Sequence, residues 1–345
     1  METKMQDLIE KNLSFNSGNI ILDGTLTLPK NVKEPSVVLL LPGSGHTDRD
    51  ENAKKGFHKF ISDNMKTISI HLANNGFASF RYDKRGVGKT QELALQVGFN
   101  DIVNDARSAV KFLSNLKEID RNNIFILGHS EGGIVGTILS AENKNIKGFI
   151  GIASPVTPLD KEVLRQISHI LTMRGKSKEK VDQLTNAFKE TFDLMRKYRD
   201  WDKVDANEIK QMFSKASFGF KILPAKTAKK AIAKQFRPAW FIQSFDYNFE
   251  DIAGKISCPV LLLFGEKDYQ VPAEEGKRFE KILLGNNVDV KLVILSNMNH
   301  MLRYNPGKMD PKTSLKSLET DFDKRVLDNI TDWLEHENGG IKHEK

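Results

Sequence analysis

A doubly wound, mostly parallel α/β sheet carrying an inserted helical cap is the fold class the sequence predicts. Short apolar runs of strand length alternate with amphipathic helical stretches, the pattern of a parallel sheet covered on both faces. Glycine-rich or polar turns follow those runs, at the strand ends where such sheets bind ligands. One long lysine-rich segment, helical in pattern and without a strand-like run, interrupts the alternation.

In chain order, "NIILDGTLTLP" alternates like a half-buried strand and stops at proline, and "SVVLLLPGSG" is an apolar run halted by glycine. Spacing predicts a helix over "FHKFISDNMKTISIHLANNG", a strand in "FASFRYDKRG" and a helix in "NDIVNDARSAVKFLSNL". The strand "NIFILG", the helix "EGGIVGTILSAEN" and the strand "IKGFIGIASP" follow. After the interruption come the strand "PVLLLFGEKD", the helix "PAEEGKRFEKILL", the strand "VDVKLVILSN" and a closing helix in "SLETDFDKRVLDNITDWLEHE". The predicted core is therefore 1–154 with 251–345, and the cap is 155–250.

Charge supports the division. The 345 residues carry a net charge of +7. Pro155–Glu250 holds 19 basic and 12 acidic residues, and the remainder 33 of each, so the whole excess lies in one module. No aromatic-interleaved basic stripe accompanies it, which points to a solvated helical face and away from a nucleic-acid partner. With 39% hydrophobic and 28% charged residues the chain reads as an ordinary globular protein. The single cysteine, Cys258, excludes an intrachain disulfide and a cysteine-based metal site, and its apolar surroundings make it a core residue. "METKMQDLIEKNLSF" lacks the apolar region of a signal peptide, and no run nears the ~18 apolar residues of a membrane span. The expectation is a cytoplasmic enzyme with no membrane partner; nothing in the sequence bears on oligomeric state.

Gly128-His129-Ser130-Glu131-Gly132 fits G-x-S-x-G and lies between a predicted strand and a predicted helix. That context lifts a serine hydroxyl above the sheet edge on a sharp turn, which the glycines relieve sterically. It also sets Ser130 at a helix N-terminus, where free amides favour developing negative charge. Ser130 is the candidate nucleophile. His129 is not its base, because the side chain of an adjacent residue in a tight turn leaves in another direction. The expected chain order is Ser, then an acid, then His. Asp268 follows the strand in "LLLFGEKDYQVP" and His300 follows the strand in "VILSNMNHML", giving a candidate triad of Ser130, Asp268 and His300. Asp160 is the reserve acid and Glu266 a weaker one. The oxyanion hole requires two backbone donors. They are assigned to the amide of Glu131 and to that of Ser44 in "LPGSG", with Gly45 next. Trp240, Phe241 and Phe245 in "PAWFIQSFDYNF" are candidates for lining an acyl pocket, the alternative being that they only pack cap against core.

Two other motifs carry no chemistry. "RGVGKT" would place the first glycine of a phosphate loop at Asp83, and "HTDRDEN" lacks a second histidine at metal-ligand spacing.

Together these segments resemble the α/β-hydrolase superfamily, most nearly bacterial esterases of the acetylesterase and dienelactone-hydrolase-like kind with a helical cap. The likeness runs through "GTLTLP", "LPGSGHTDRDEN", "FRYDKRGVGKT", "GHSEGG", "PAWFIQSFDYN", "LLLFGEKDYQVP" and His300. It implies that Ser130, Asp268 and His300 are the triad and that Ser44 and Glu131 form the oxyanion hole. It also implies that Asp48, Arg49, Asp50, Asp83, Arg85 and Gly86 buttress the oxyanion loop. Relatives usually carry proline where His46 stands, a departure that bears on the shape and polarity of the acyl pocket. The expected activity is hydrolysis of small short-chain acyl esters, without cofactor or metal. The rivals are a serine peptidase with the same triad and a non-catalytic binding protein on the same fold.

Overall fold

The computed structural model describes residues 8–53, 59–93, 97–216 and 218–339. The chain forms two compact units, one of Met1–Ala94, Ile102–Val156 and Phe249–Lys345, the other of Leu95–Asp101 and Thr157–Asn248.

The first unit is built on eight strands: β1 (Leu8–Ser17), β2 (Ile20–Pro29), β3 (Val37–Leu41), β4 (Ala78–Tyr82), β5 (Ile124–His129), β6 (Ile146–Ile152), β7 (Val260–Gly265) and β8 (Val290–Leu295). They lie side by side in the order β1-β2-β4-β3-β5-β6-β7-β8. The pairs β1–β2 and β2–β4 are antiparallel, and those from β4 through β8 are parallel. β1 falls in a charged stretch where composition marks no strand; pairing along β2, from Leu8 opposite Pro29 to Ser17 opposite Ile20, forms it.

The helices are α1 (Asn64–Asn74), α2 (Phe99–Leu113), α3 (Glu131–Glu142), α4 (Leu159–Met173), α5 (Lys178–Tyr198), α6 (Ala206–Ala216), α7 (Phe218–Ile222), α8 (Ala225–Phe236), α9 (Pro238–Ser244), α10 (Phe249–Ala253), α11 (Ala273–Gly285), α12 (Pro311–Lys316) and α13 (Lys324–Glu337). Period-two alternation along the strands supplies both faces of the sheet. Val38, Leu40, Phe125, Leu127, Ile150, Ile152, Leu261 and Leu263 face a fully buried layer completed by Met65, Ile68 and Leu72 of α1 and Val326, Ile330 and Leu334 of α13. On the other face, Gly136 of α3 sits against Phe149 and Ile126, and Gly276 of α11 against Phe264. Each fully buried Leu, Ile or Phe is worth about 1.5–3 kcal/mol over exposure, so this layering dominates the unit's stability.

Two predicted helices are shorter than their apolar spacing implies. α1 begins at Asn64, because the Asn52 side chain accepts hydrogen bonds from the amides of Ser62 and Asp63, and Asp63 is left-handed at φ 48°. Residues 57 and 58 of that predicted helix lie outside the described residues. α13 begins at Lys324, where Asp323 caps it by accepting from the Arg325 amide.

The second unit consists of α4 to α9 around its own aromatic cluster, in which Phe192 stacks on Phe241 at 4.5 Å and Phe213 packs against Phe188 at 4.8 Å. Its bounds differ from the sequence expectation by taking in the chain around Phe99. The Phe99 ring meets Trp240 and Tyr247 edge-on, the Asn100 amide donates to Gln243 Oε1 at 2.8 Å, and Tyr247 Oη donates to Asn100 Oδ1 at 2.8 Å. No shift in composition marks that stretch.

Candidate active site

β3 is flanked by β4 on one side and β5 on the other, so the winding of the sheet reverses between β3 and β5. The loops leaving these two strands are adjacent, Leu41 being paired with Gly128, and such a switch point is where doubly wound sheets bind ligands. The loop after β3 is "PGSG" and the turn after β5 carries Ser130.

Ser130 sits between β5 and α3 with φ 53° and ψ −115°, a conformation costing about 1–3 kcal/mol for a non-glycine residue. Its surroundings over-determine it. A Cβ on Gly128 would lie 2.1 Å from the Gly132 carbonyl oxygen, and one on Gly132 would lie 2.0 Å from that of Leu41. One on Gly133 would meet Ser154 Cβ at 2.5 Å. The Ser130 amide donates to the Ile152 carbonyl at 2.9 Å, tying the turn to β6. Glycine is therefore required at all three positions for the strand to turn so abruptly into the helix.

Asp268 and His300 come together from the loops after β7 and β8. His300 Nδ1 lies 2.7 Å from Asp268 Oδ2, and both side chains are buried. The other carboxylate oxygen of Asp268 accepts from the amides of Gln270 and Val271, at 2.8 and 2.9 Å, so the acid is oriented before it meets the imidazole. The two loops are fastened by Lys267 N donating to the Met298 carbonyl and Asn297 N donating to Glu266 Oε2. Glu266 thus serves as a loop tie. Asp160 pairs with Arg196 within the second unit.

The loop after β3 is held through Gly43. A Cβ at Gly43 would stand 3.5 Å from Ser130 Cβ, which puts this backbone beside the serine. Lys84 Nζ donates to the Gly43 carbonyl at 2.9 Å and forms a buried ion pair with the Glu131 carboxylate. No peptide bond among the described residues is cis. In a trans peptide the carbonyl and the following N–H point in opposite directions, so drawing the Gly43 oxygen toward Lys84 turns the Ser44 N–H away from it. Ser44 itself is exposed, and Gly45 has φ 97°.

On the other side, the Gly43 amide donates to Glu51 Oε1. Glu51 is buried, accepts from Asn64 Nδ2 at 2.9 Å, and lies 2.7 Å from His129 Nδ1. His129 Nε2 in turn faces the His300 carbonyl at 3.1 Å, and the two imidazole rings are 4.8 Å apart. Burial opposes charge on both partners. The negative Glu51, the nearby Asp268 and the hydrogen bonds nonetheless raise His129 above the ordinary histidine range. The His129 charge and the bonds from Gly43 and Asn64 hold Glu51 below the ordinary carboxylate range.

The predicted buttress residues engage further ion pairs. Arg49 grips both oxygens of Asp83, Arg81 pairs with Asp50, and Arg85 with Asp105. Asp48 Oδ1 accepts from the amides of Asp50 and Asn52, and Gly86 has φ 84°. Lys84, Glu51 and the side chain of His129 were not assigned roles from sequence. A buried Lys inside "DKRG" and a Glu just after "DRD" give no pattern until the loops are folded together.

Trp240, Phe241 and Phe245 lie in the second unit's aromatic cluster. Trp240 packs edge-on against Phe99 and Phe241, and Phe245 lies under the Arg196 guanidinium at 4.1 Å. Cys258 is buried, and burial pushes its thiol up to about 11, leaving it protonated and inert.

Residues 56–306 match the family described as serine aminopeptidase, S33. Esterase EstD of Thermotoga maritima is 29% identical over 329 residues, which span 94% of this chain and 67% of that protein. The α/β hydrolase GrgF from Penicillium sp. sh18 superposes with a TM-score of 0.57 at 16% identity, over 95% of this chain and 99% of that one. The acylaminoacyl peptidase of Pyrococcus horikoshii superposes with a TM-score of 0.56 at 14% identity, over 99% of this chain and 43% of that one. The two solved structures share the fold, and the family match takes in the Ser130 turn, Asp268 and His300; the chain is an α/β-hydrolase-fold hydrolase belonging to the serine aminopeptidase S33 family.

Proposed function

We propose that the protein is a serine carboxylesterase of short-chain acyl esters. The observation that carries this reading is the 2.7 Å contact between His300 Nδ1 and Asp268 Oδ2 at the same sheet edge as the strained Ser130 turn. His300 removes the Ser130 hydroxyl proton as the oxygen attacks the ester carbonyl. Asp268 fixes the ring tautomer and stabilises the imidazolium. The amides of Ser44 and Glu131 receive the oxyanion, one directed by Lys84 through Gly43 and the other at the start of α3. Collapse of the tetrahedral intermediate expels the alcohol, which takes the proton from His300. Water, activated by the same histidine, then releases the acid. The relative named an esterase supports the ester over the amide bond.

The family's description keeps a peptidase as the second reading. The discriminating experiment runs p-nitrophenyl esters of graded chain length beside peptide p-nitroanilides. Preference for the acetate and butyrate esters is expected, and faster turnover of the anilides would overturn the ester reading. Ser130→Ala is expected to lose on the order of 10⁴-fold or more in kcat while folding normally. Retention of a tenth of the activity, or a fluorophosphonate that fails to label Ser130, would remove the serine from its role.

A further inference from the structure

We infer that His129, held as an imidazolium by Glu51, is a positioning residue that locks the catalytic base and the oxyanion loop into one register. This rests on the reading of Ser130 and His300 given above.

The geometry requires both ring protons. Nδ1 faces a carboxylate oxygen of Glu51 at 2.7 Å and Nε2 faces the His300 carbonyl at 3.1 Å. The His300 carbonyl has no proton to give, and Glu51, held as a carboxylate by the bonds from Gly43 and Asn64, has none either, so each nitrogen has to donate, and only the imidazolium carries two N–H groups. A neutral ring would leave one buried acceptor opposite a lone pair. Ring and carboxylate are both buried, so neither contact is replaced by water.

What the imidazolium holds is specific. One N–H fixes the backbone of His300, the residue whose side chain bonds to Asp268. The other fixes Glu51, which accepts from the Gly43 amide at the base of the oxyanion loop. His129 is itself the residue before Ser130. A single buried charge pair therefore links the backbones of the nucleophile turn, the oxyanion loop and the base. Glu51 occupies this place with a left-handed backbone, φ 69°, a strain of about 1–3 kcal/mol that surrounding contacts sustain. Asn64 bonds to its second oxygen, and Arg303 stands behind Asn64, donating to its Oδ1 at 2.8 Å.

The charged or titratable groups facing His129 are Glu51 from the loop after β3, Asp268 from the loop after β7 and the His300 ring. Lys84 lies on the far side of Gly43 and Arg303 beyond Glu51. The signs follow. The raised His129 contributes fully below its unfolded value, and its contribution is lost as pH rises through the folded one. The lowered Glu51 contributes above its unfolded value and is lost as pH falls through the folded one. The lock is intact between those limits.

The test is Glu51→Gln, which keeps the shape and removes the counter-charge. Loss of that opposite charge removes the main cause that raises His129 and favours its neutral ring in the variant. We expect kcat per active site, titrated with diethyl p-nitrophenyl phosphate, to fall about 10- to 100-fold at pH 8 with KM within about threefold, less than removal of an oxyanion donor costs. The variant-to-wild-type ratio should rise toward one as pH falls from 8 to 6, the direction that favours a protonated His129. A kcat per site equal to wild type, or a ratio constant from pH 6 to 8, overturns the inference. Should the variant not fold, ring ¹⁵N spectra of the wild-type protein decide. Two protonated nitrogens on His129 at pH 8 support the lock, and one overturns it. An inactive Ser130→Ala beside a normal Glu51→Gln would sink the lock alone, whereas an active Ser130→Ala would sink the reading beneath it.

Discussion

Both units carry many ion pairs, and the two sets are built differently. In the second unit, pairs such as Lys189–Asp193 run along one helix with side chains 62% and 59% exposed. At the sheet edge of the first unit, Lys84–Glu131 and Glu51–His129 join residues far apart in sequence, with side chains no more than 8% exposed. The unit with the whole +7 excess leaves at least one member of each such pair partly in water, even where Arg165 meets the buried Glu162, while the unit with balanced composition buries both members of these two pairs. Net charge therefore points away from the half of the molecule where ion pairs are buried. A solvated pair is screened and weak, whereas a buried one is costly to assemble and more costly to break. The buried pairs are found at the loops that would hold Ser44, Ser130 and His300.

The largest expected effect pits one acid from each unit against the other. Asp268→Asn should fold normally and lose about 10³- to 10⁴-fold in kcat, because the amide no longer selects the His300 tautomer that can take a proton from serine. Asp160→Asn, which breaks only a contact with the half-exposed Arg196, should leave kcat within about twofold. Steady-state ester hydrolysis measures both, and the reverse ranking would mean that the catalytic acid comes from the second unit.

A smaller effect separates stability from positioning. Lys84→Met leaves the Glu131 carboxylate buried without its cation, a defect worth about 3–5 kcal/mol in urea unfolding. The double variant Lys84→Met with Glu131→Met should regain most of that stability, since an apolar pair replaces an ionic one at similar volume. Its kcat should stay about 10- to 100-fold low, because nothing then holds the Gly43 carbonyl, and with it the opposed Ser44 N–H, in its direction, and misdirecting a donor costs less than deleting it. Recovery of kcat along with stability would reduce Lys84 to packing.

The course of the sheet from β2 to β8 was legible because its strands are written as short apolar or alternating runs, each ended by glycine, proline or a polar turn. β1 was not, since an edge strand with alternating exposed positions takes its conformation from pairing with β2. Ser130, Asp268 and His300 were legible as candidates because each follows a recognisable strand and the expected order of such a set is fixed by the fold. Their proposed support was not, for an equally physical reason. Glu51 and His129 are 78 residues apart, and Lys84 and Glu131 are 47 apart, so only the crossing of loops at the switch point between β3 and β5 brings them together. Sequence spacing carries helix faces and strand ends; it carries no record of which loops will touch.

The smallest expected effect tests the other side of the comparison. In α5, Lys189 precedes Asp193 by four residues, as Lys178 precedes Asp182. This is the less favourable order for a helical pair, because an acid placed N-terminal to its base also suits the helix dipole. With both side chains mostly in water, a double-mutant cycle on Lys189→Ala and Asp193→Ala, read by urea unfolding, should give a coupling of about 0.3 kcal/mol or less. The coupling should vanish near 1 M salt, where the screening length falls to about 3 Å. Esterase kcat should be unchanged throughout. A coupling above about 1 kcal/mol that survives high salt would mean that the second unit's charges are ordered much as the buried ones are, and the contrast between the two units would fail.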